Sequence, residues 1–343
     1  MRMKFLQFIL LIGIIATGKA QVGGTGVFQI LEVPLHARSM AWGGYLLASP
    51  TSDVQFASNN PALLNKSLHN NYGVTYGSFL PGVTNGGVGY AYNKGMHNFS
   101  FHAQYLDYGT MKSFDDGGNS LGTVSANETK ITLGYSREIS DRITVGAQLG
   151  FVYSVLEPYV SNGIFSNLGA HYNSKDTLIQ MGLVVKNIGF MLNAYRNASR
   201  ESLPFNIQYG VSIKPAHMPV RFQIIAHSLQ KWDLTYNQYL KTGTMDLNGQ
   251  EVIPQESNFG DKLSRHLALG MEFILGEHLG LLVGYNHQRR TEIAPEAQKG
   301  MAGFGWGLKF KVYKFHITYA SSSYFTGFNS NMFSISLIPA FLN

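Results

Sequence analysis

The sequence predicts an all-β fold, a 14-stranded antiparallel transmembrane outer-membrane β-barrel with an N-terminal hatch or plug segment. Three observations carry this. Apolar and polar residues alternate with period two over most of the chain. Charged residues make up 13% of the 343 residues, roughly half of what soluble domains carry, while Gly reaches 38. The connections between alternating runs come out short and long in turn, as tight periplasmic turns and long extracellular loops do.

The first twenty residues, "MRMKFLQFILLIGIIATGKA", set Arg2 and Lys4 before an apolar core from Phe5 to Ala16, with Gly18 and Ala20 where a signal peptidase reads. They are expected to form a secretory signal ending before Gln21. The chain has no Cys, so neither a lipoprotein anchor nor a disulfide framework is expected. Without Arg2, Lys4 and Lys19 the formal charge falls from +6 to +3, dispersed along the chain, which argues against a nucleic-acid partner. Beyond residue 20 no apolar run approaches the roughly 18 residues of a membrane helix. Any membrane crossing therefore falls to strands.

Residues 21–69 read as a hatch inside or at the mouth of the barrel. They are too few to build a core of their own. Their distinctive motif is "SNNPALLN", with Asn59, Asn60, Pro61 and Ala62. Asn59 and Asn60 are placed to cap a short helical turn begun by "PALL", with Pro at its first position.

Residues 70–343 read as the barrel. "YGVTYGS" sets Tyr72, Val74 and Tyr76 on one face against Gly73, Thr75 and Gly77; "NFSFHAQY" and "FNIQYGVSIK" alternate likewise. The predicted strands are 70–79, 85–93, 97–106, 128–136, 142–155, 162–172, 176–186, 203–213, 219–229, 264–275, 278–287, 301–311, 314–323 and 331–341. Long extracellular loops are predicted notably at 107–127, 187–202 and 230–263. A soluble β-sandwich alternates too, but its polar face would be rich in Lys and Glu. Here that face is mainly Gly, Ser, Thr, Asn, Gln and His, which suits a wet or plugged lumen behind a lipid-facing Val, Ile, Leu, Phe and Tyr surface. The last run, "NMFSISLIPAFLN", puts Phe333, Ile335, Leu337 and Phe341 on one face, like a barrel-assembly signal, although the chain ends on Asn343.

Motifs that would carry chemistry are weak. "GFGWG" at 303–307 lacks the spacing of a phosphate-binding loop, and its glycines fall on alternate, inward positions. The His residues, among them His102, His171, His227, His266 and His316, show no metal-ligand spacing. No nucleophile elbow or carboxylate pair is evident, so the chain reads as a non-enzyme with no catalytic residue, metal or cofactor. In the loop 230–263, Trp232, Tyr236 and Tyr239 are candidate partner-binding residues, because aromatics give large contact area at low entropic cost. A headgroup girdle explains Trp232 equally well.

An Asn-Pro-Ala hatch element ahead of fourteen strands resembles the FadL-type outer-membrane barrels. Within that group "QVGGTGVFQIL" (21–31), "NNPALLN" (59–65), "VVKNIG" (184–189), "SLQKWDLTY" (228–236), "SRHLALGMEF" (264–273) and "VGYNHQRRTE" (283–292) are similar to the PorQ family of the type IX secretion system in Bacteroidetes-type bacteria, and less to the related PorV family. The resemblance spans the mature chain and departs at Asn343. It implies a non-enzymatic anchor that holds a PorZ-like surface protein beside PorU and PorV. That attachment complex processes secreted cargo and joins it to lipopolysaccharide, with the chemistry in PorU. The alternative is a FadL-like channel for hydrophobic small molecules, whose lumen would include Val184, Ile225 and Leu282.

Overall fold

The structure is a computed structural model that describes residues 27–50, 53–115, 117–195, 200–235, 258–292, 300–325 and 327–337. Fourteen antiparallel strands close into a barrel: β1 (Asn71–Leu80), β2 (Val83–Lys94), β3 (His97–Phe114), β4 (Ser120–Ser140), β5 (Ile143–Leu156), β6 (Tyr159–Asn173), β7 (Ile179–Asn193), β8 (Asn206–Ile213), β9 (Val220–Ala226), β10 (Leu267–Leu275), β11 (Leu279–Asn286), β12 (Phe304–Val312), β13 (Phe315–Phe325) and β14 (Phe328–Leu337). Every strand pairs with its sequence neighbours. β1 closes the ring on β14, from Tyr72↔Leu337 to Ser78↔Asn331. Closure leaves no wall edge in the hydrocarbon, the condition a spanning sheet must meet.

The burial pattern is inverted relative to a soluble protein. Along the wall the exposed positions are apolar: Tyr72, Val74, Tyr76, Phe99, Phe101, Leu133, Leu149, Leu183, Ile224, Trp306 and Phe333. The buried positions are polar: Thr75, Asn85, His102, Gln104, Thr132, Gln148, Asn167, Gln208, Gln223 and Ser334. An apolar exterior around a polar interior is the outer-membrane arrangement, since Lys or Arg on the lipid face costs about 2–4 kcal/mol at the midplane.

The apolar core lies between the hatch and the wall. Of the twelve largest fully buried side chains among the described residues, only Leu106 belongs to the wall; the others, from Phe28 to Leu68, belong to the hatch. Phe28, Ile30 and Leu31 pack with Leu106, Val152, Phe165 and Met191, while Met40, Trp42, Leu46, Phe56 and Leu63 pack with Leu282, Ala320 and Met332. At roughly 1.5–3 kcal/mol for each large side chain removed from water, this packing is what holds the hatch in place.

The expected strict alternation of connection length fails at three places. The connections 81–82, 157–158 and 326–327, on the loop-bearing rim, are as short as the turns 95–96 and 141–142 of the opposite rim. The predicted loop 107–127 is mostly strand, because β3 continues to Phe114 and β4 starts at Ser120, and β7 likewise runs to Asn193 inside the predicted loop 187–202. Bulges at Asp107/Thr110 and Ser113/Phe114 interrupt the apolar alternation while backbone pairing goes on, which is why these strands read as loops. The long connections that remain are 194–205, 227–266 and 287–303, the latter two carrying short helices at Phe259–Arg265 and His287–Glu292. Phe341 and Asn343, like residues 1–26, lie outside the described residues.

Candidate functional site

The hatch consists of tight turns held by side-chain caps. A helix at Ala37–Ala41 starts on His36, whose side chain accepts from the Arg38 amide. Short 3-10 turns follow at Val54–Ser58, Pro61–Leu63 and Lys66–Leu68, capped by Asp53, Asn60 and Asn65. The "SNNPALLN" motif divides its labour differently from the expectation. Asn60 caps the Pro61 turn, its Oδ1 accepting from the Ala62 amide at 3.0 Å, whereas Asn59 closes the preceding turn. The Asn60 Nδ2 also donates to the Leu47 carbonyl at 2.9 Å and to Ala170 of β6 at 3.4 Å. All four motif residues are buried. A four-residue motif thus ties two hatch segments to the wall.

Wall glycines make the space. A Cβ on Gly284 would stand 2.1 Å from the Ala41 carbonyl oxygen and 2.6 Å from Trp42 Cα; on Gly182, 2.2 Å from the Leu47 carbonyl; on Gly146, 2.6 Å from the Pro61 carbonyl carbon; and on Gly169, 2.2 Å from Asn60 Oδ1. These are contacts with hatch backbone or with its key cap, so no side chain fits. Of the inward glycines of "GFGWG", a Cβ on Gly305 would stand 2.7 Å from the Ala41 carbonyl oxygen in the same way, while one on Gly307 would stand 2.6 Å from the Tyr319 carbonyl oxygen of β13 and 3.3 Å from the Ala41 side chain. What looked in the sequence like lumen room is filled by the hatch helix.

Charge adds a lock that the sequence did not reveal. Arg38 donates to one carboxylate oxygen of Glu272 in β10, and Lys309 of β12 reaches the other. The Arg38 guanidinium also lies 4.4 Å from the Trp42 ring centroid. At the other end of the hatch the Glu128 Oε2 accepts from the Ile30 amide at 2.7 Å, and Lys130 donates to the Ile30 carbonyl at 3.3 Å. Within the hatch, His36 Nε2 lies 3.2 Å from the Asp53 carboxylate.

A small pocket of about 10 Å³ lies between hatch and wall, bounded by Leu35, His102, Lys130, Thr132, Gln148 and Lys186 among others. Room of that size admits about one water. His102 Nδ1 and Thr132 Oγ1 are buried without a protein partner, which suits a water. Val184, Ile225 and Leu282, the apolar lumen residues of the channel expectation, are fully buried against the hatch, with Leu47 packed on Val184 and Ile225.

Trp232 is half exposed beyond the end of β9, with its ring 5.7 Å from His266 and 5.4 Å from Phe259. His266 Nε2 lies 3.0 Å from the Trp232 carbonyl, so the loop root is fixed on the rim. Tyr236 and Tyr239 lie outside the described residues. The histidines are distributed through the hatch, wall and rim, His102 with its Nε2 3.0 Å from the Val54 carbonyl and His227 stacked on Tyr45. Among the described residues no group of three metal-ligating side chains converges.

No protein-family model and no curated protein matches the chain. Solved structures do. The Pseudomonas putida toluene transporter TodX is similar with a TM-score of 0.55 at 12% identity, over 90% of this chain and 99% of that one. The CymD monoaromatic hydrocarbon channel is similar with a TM-score of 0.51 at 13% identity, over 90% and 98%. A Pseudomonas aeruginosa FadL homologue aligns over 92% of this chain with a TM-score of 0.45. At these identities the likeness is one of fold. The chain is a closed fourteen-stranded barrel of the outer-membrane kind, with its lumen occupied by its own N-terminal segment.

Proposed function

We propose that this chain is a non-enzymatic outer-membrane barrel whose lumen stays filled, and that it anchors a surface protein of the PorZ-like class beside PorU and PorV in a type IX attachment complex. The observation that supports it is the fit of the hatch: wall glycines meet hatch backbone, apolar side chains from Phe28 to Leu68 are buried there, and Arg38 is paired to Glu272. A barrel filled in this way contributes position and a rigid rim. Processing of cargo and its transfer to lipopolysaccharide belong, on this reading, to the partners. Pull-down of the intact barrel from outer membranes tests it, with one surface protein expected at stoichiometric yield. Deleting residues 238–258 tests the share of the long loop: a partner retained at wild-type level overturns that share.

The comparisons weigh towards a second reading, a FadL-like channel for hydrophobic small molecules, because TodX and CymD are described as a toluene transporter and a monoaromatic hydrocarbon channel. On that reading the hatch must move, since wall glycines meet hatch backbone and the pocket between hatch and wall is water-sized. Uptake of monoaromatic hydrocarbons and protein secretion, both measured in a deletion strain, separate the two. Loss of uptake with secretion intact overturns the anchor.

A further inference from the structure

Strands β3 and β4 outrun their neighbours on the loop-bearing rim. The last pair between β2 and β3 is Thr84↔Asp107, and the last between β4 and β5 is Ala126↔Leu156. Beyond them Thr110–Phe114 and Ser120–Ser125 pair only with each other, from Thr110↔Ser125 to Phe114↔Ser120. At about 3.3 Å per residue this arm extends roughly 15 Å past the rim along the strand direction. The inside-outside alternation of the wall stops there: residues 110–112, 114 and 120–123 are all exposed, including Met111, Phe114 and Leu121.

The β4 edge shows which backbone groups stand open. The Glu157 amide donates to the Ser125 carbonyl at 3.3 Å, and the Ser125 amide donates to Glu157 Oε2 at 3.1 Å. Ser125 therefore faces the side where β5 has ended. Two residues on, Thr123 presents its N–H and C=O to the same side. This open stretch continues the β4–β5 ladder directly. Carboxylates stand at both of its ends, Glu157 at the rim and Asp115 at the tip, with Lys112 across the ribbon opposite Thr123. A two-stranded ribbon is marginal in water and gains independent stability from a third strand.

We propose that the open edge of β4 around Thr123, between Leu121 and Val124, receives an extended segment of a surface-exposed polypeptide as an added strand, with basic residues at its ends to meet Glu157 and Asp115 and apolar residues between. Strand addition is the mode in which backbone bonds supply affinity and alternate side chains supply specificity, and complementary charge sets the register. A lipid headgroup offers no repeating amide ladder to such an edge. The proposal rests on the anchor reading and names the place of contact, which is separate from the loop of Trp232.

The test is photo-crosslinking in intact outer membranes, with a photoreactive residue at position 123 or 121 in separate variants and the adduct peptides mapped by mass spectrometry. Strand addition is expected to give adducts with one contiguous segment of one surface protein, the crosslinked position shifting in the antiparallel sense when the probe moves from 123 to 121, across the bulge at Leu121–Gly122. Thr123→Pro, which removes the outward N–H and stiffens the edge, is expected to lower the adduct at 121 at least tenfold with barrel abundance unchanged. Adducts without register, adducts with lipopolysaccharide only, or adducts with a second copy of this chain overturn the proposal. Co-purification of a surface protein without a registered adduct removes this docking edge alone; absence of any co-purifying protein removes the anchor reading, and the edge with it.

Discussion

Arg38 in the hatch helix and Glu272 in β10, 234 residues apart in sequence, are joined by a charge-assisted hydrogen bond with both side chains 3% exposed. Lys309 meets the same carboxylate, so one acidic residue neutralises cations from the hatch and from the wall. Removing one partner of a buried pair leaves an uncompensated charge, at about 3–5 kcal/mol. Glu272→Ala is therefore expected to loosen the hatch by that order. It should appear as single-channel openings in planar bilayers, where the wild type stays closed. Replacing Arg38, Glu272 and Lys309 together by Met should close the barrel again, because no member of the charge cluster is then stranded. A Glu272→Ala barrel as tight as wild type overturns the lock.

Gly284→Val tests the sockets. Its Cβ would meet the Ala41 carbonyl oxygen at 2.1 Å, a backbone atom in a helix already fixed by the Ala37 amide donating to Ser334 Oγ at 2.9 Å. The hatch must shift, while the wall keeps all its ladder bonds. Uptake of a small hydrophilic antibiotic is expected to rise at least tenfold over Val283→Ala, a change on the lipid face. Equal uptake in the two variants would mean that the glycines do not seat the hatch.

All fourteen strands were legible in the sequence because lipid outside and polar groups inside enforce period two, as at Tyr72, Val74 and Tyr76 against Gly73, Thr75 and Gly77. The hatch was legible as an element but not as a structure. Its turns have no period, and Asn60 finds partners 13 and 110 residues away. The inward charges Glu128, Lys130, Arg221, Glu272 and Lys309 sit on polar faces where they read as ordinary lumen residues. Their meaning lies in hatch atoms that sequence spacing does not reveal. The extended β3–β4 arm was missed for the opposite reason. Exposed on both faces, it has no apolar side to mark it as strand.

Asn60→Ala should unfasten the "SNNPALLN" motif. It removes the acceptor for the Ala62 amide and the donor for the Leu47 carbonyl, both buried. A buried group left unsatisfied costs about 1–3 kcal/mol. Pro61→Ala alone should be milder, since the first position of a helical turn needs no donor. Hydrogen exchange at the Ala62 amide is expected to accelerate at least fivefold in the Asn60 variant, with small-solute leakage in the joint variant. A joint variant that inserts and stays tight would show that this motif is not the seal.

Asp115 makes the projecting arm sensitive to acid. Its carboxylate is held below its ordinary value of 3.8 by the Asn119 side chain, then by the Asn119 amide and, more weakly, the Gly117 amide, with the amides at 2.7 and 2.9 Å and the side-chain amide at 3.0 Å. A depressed folded value means that the ionised form is the one the turn favours. Its stabilisation is fully present above the unfolded value and is lost as pH falls through the folded value, so the turn is closed near neutrality and loosens below about 3.8. Protection of the Gly117 and Asn119 amides, corrected for the intrinsic pH dependence of exchange, is expected to be flat from about pH 5 to 7 and to fall in stronger acid. Asp115→Asn keeps an acceptor oxygen and should retain part of the protection with no pH dependence, whereas Asp115→Ala should lose it throughout. An acid response that survives in the Asn variant would assign the titration to another group.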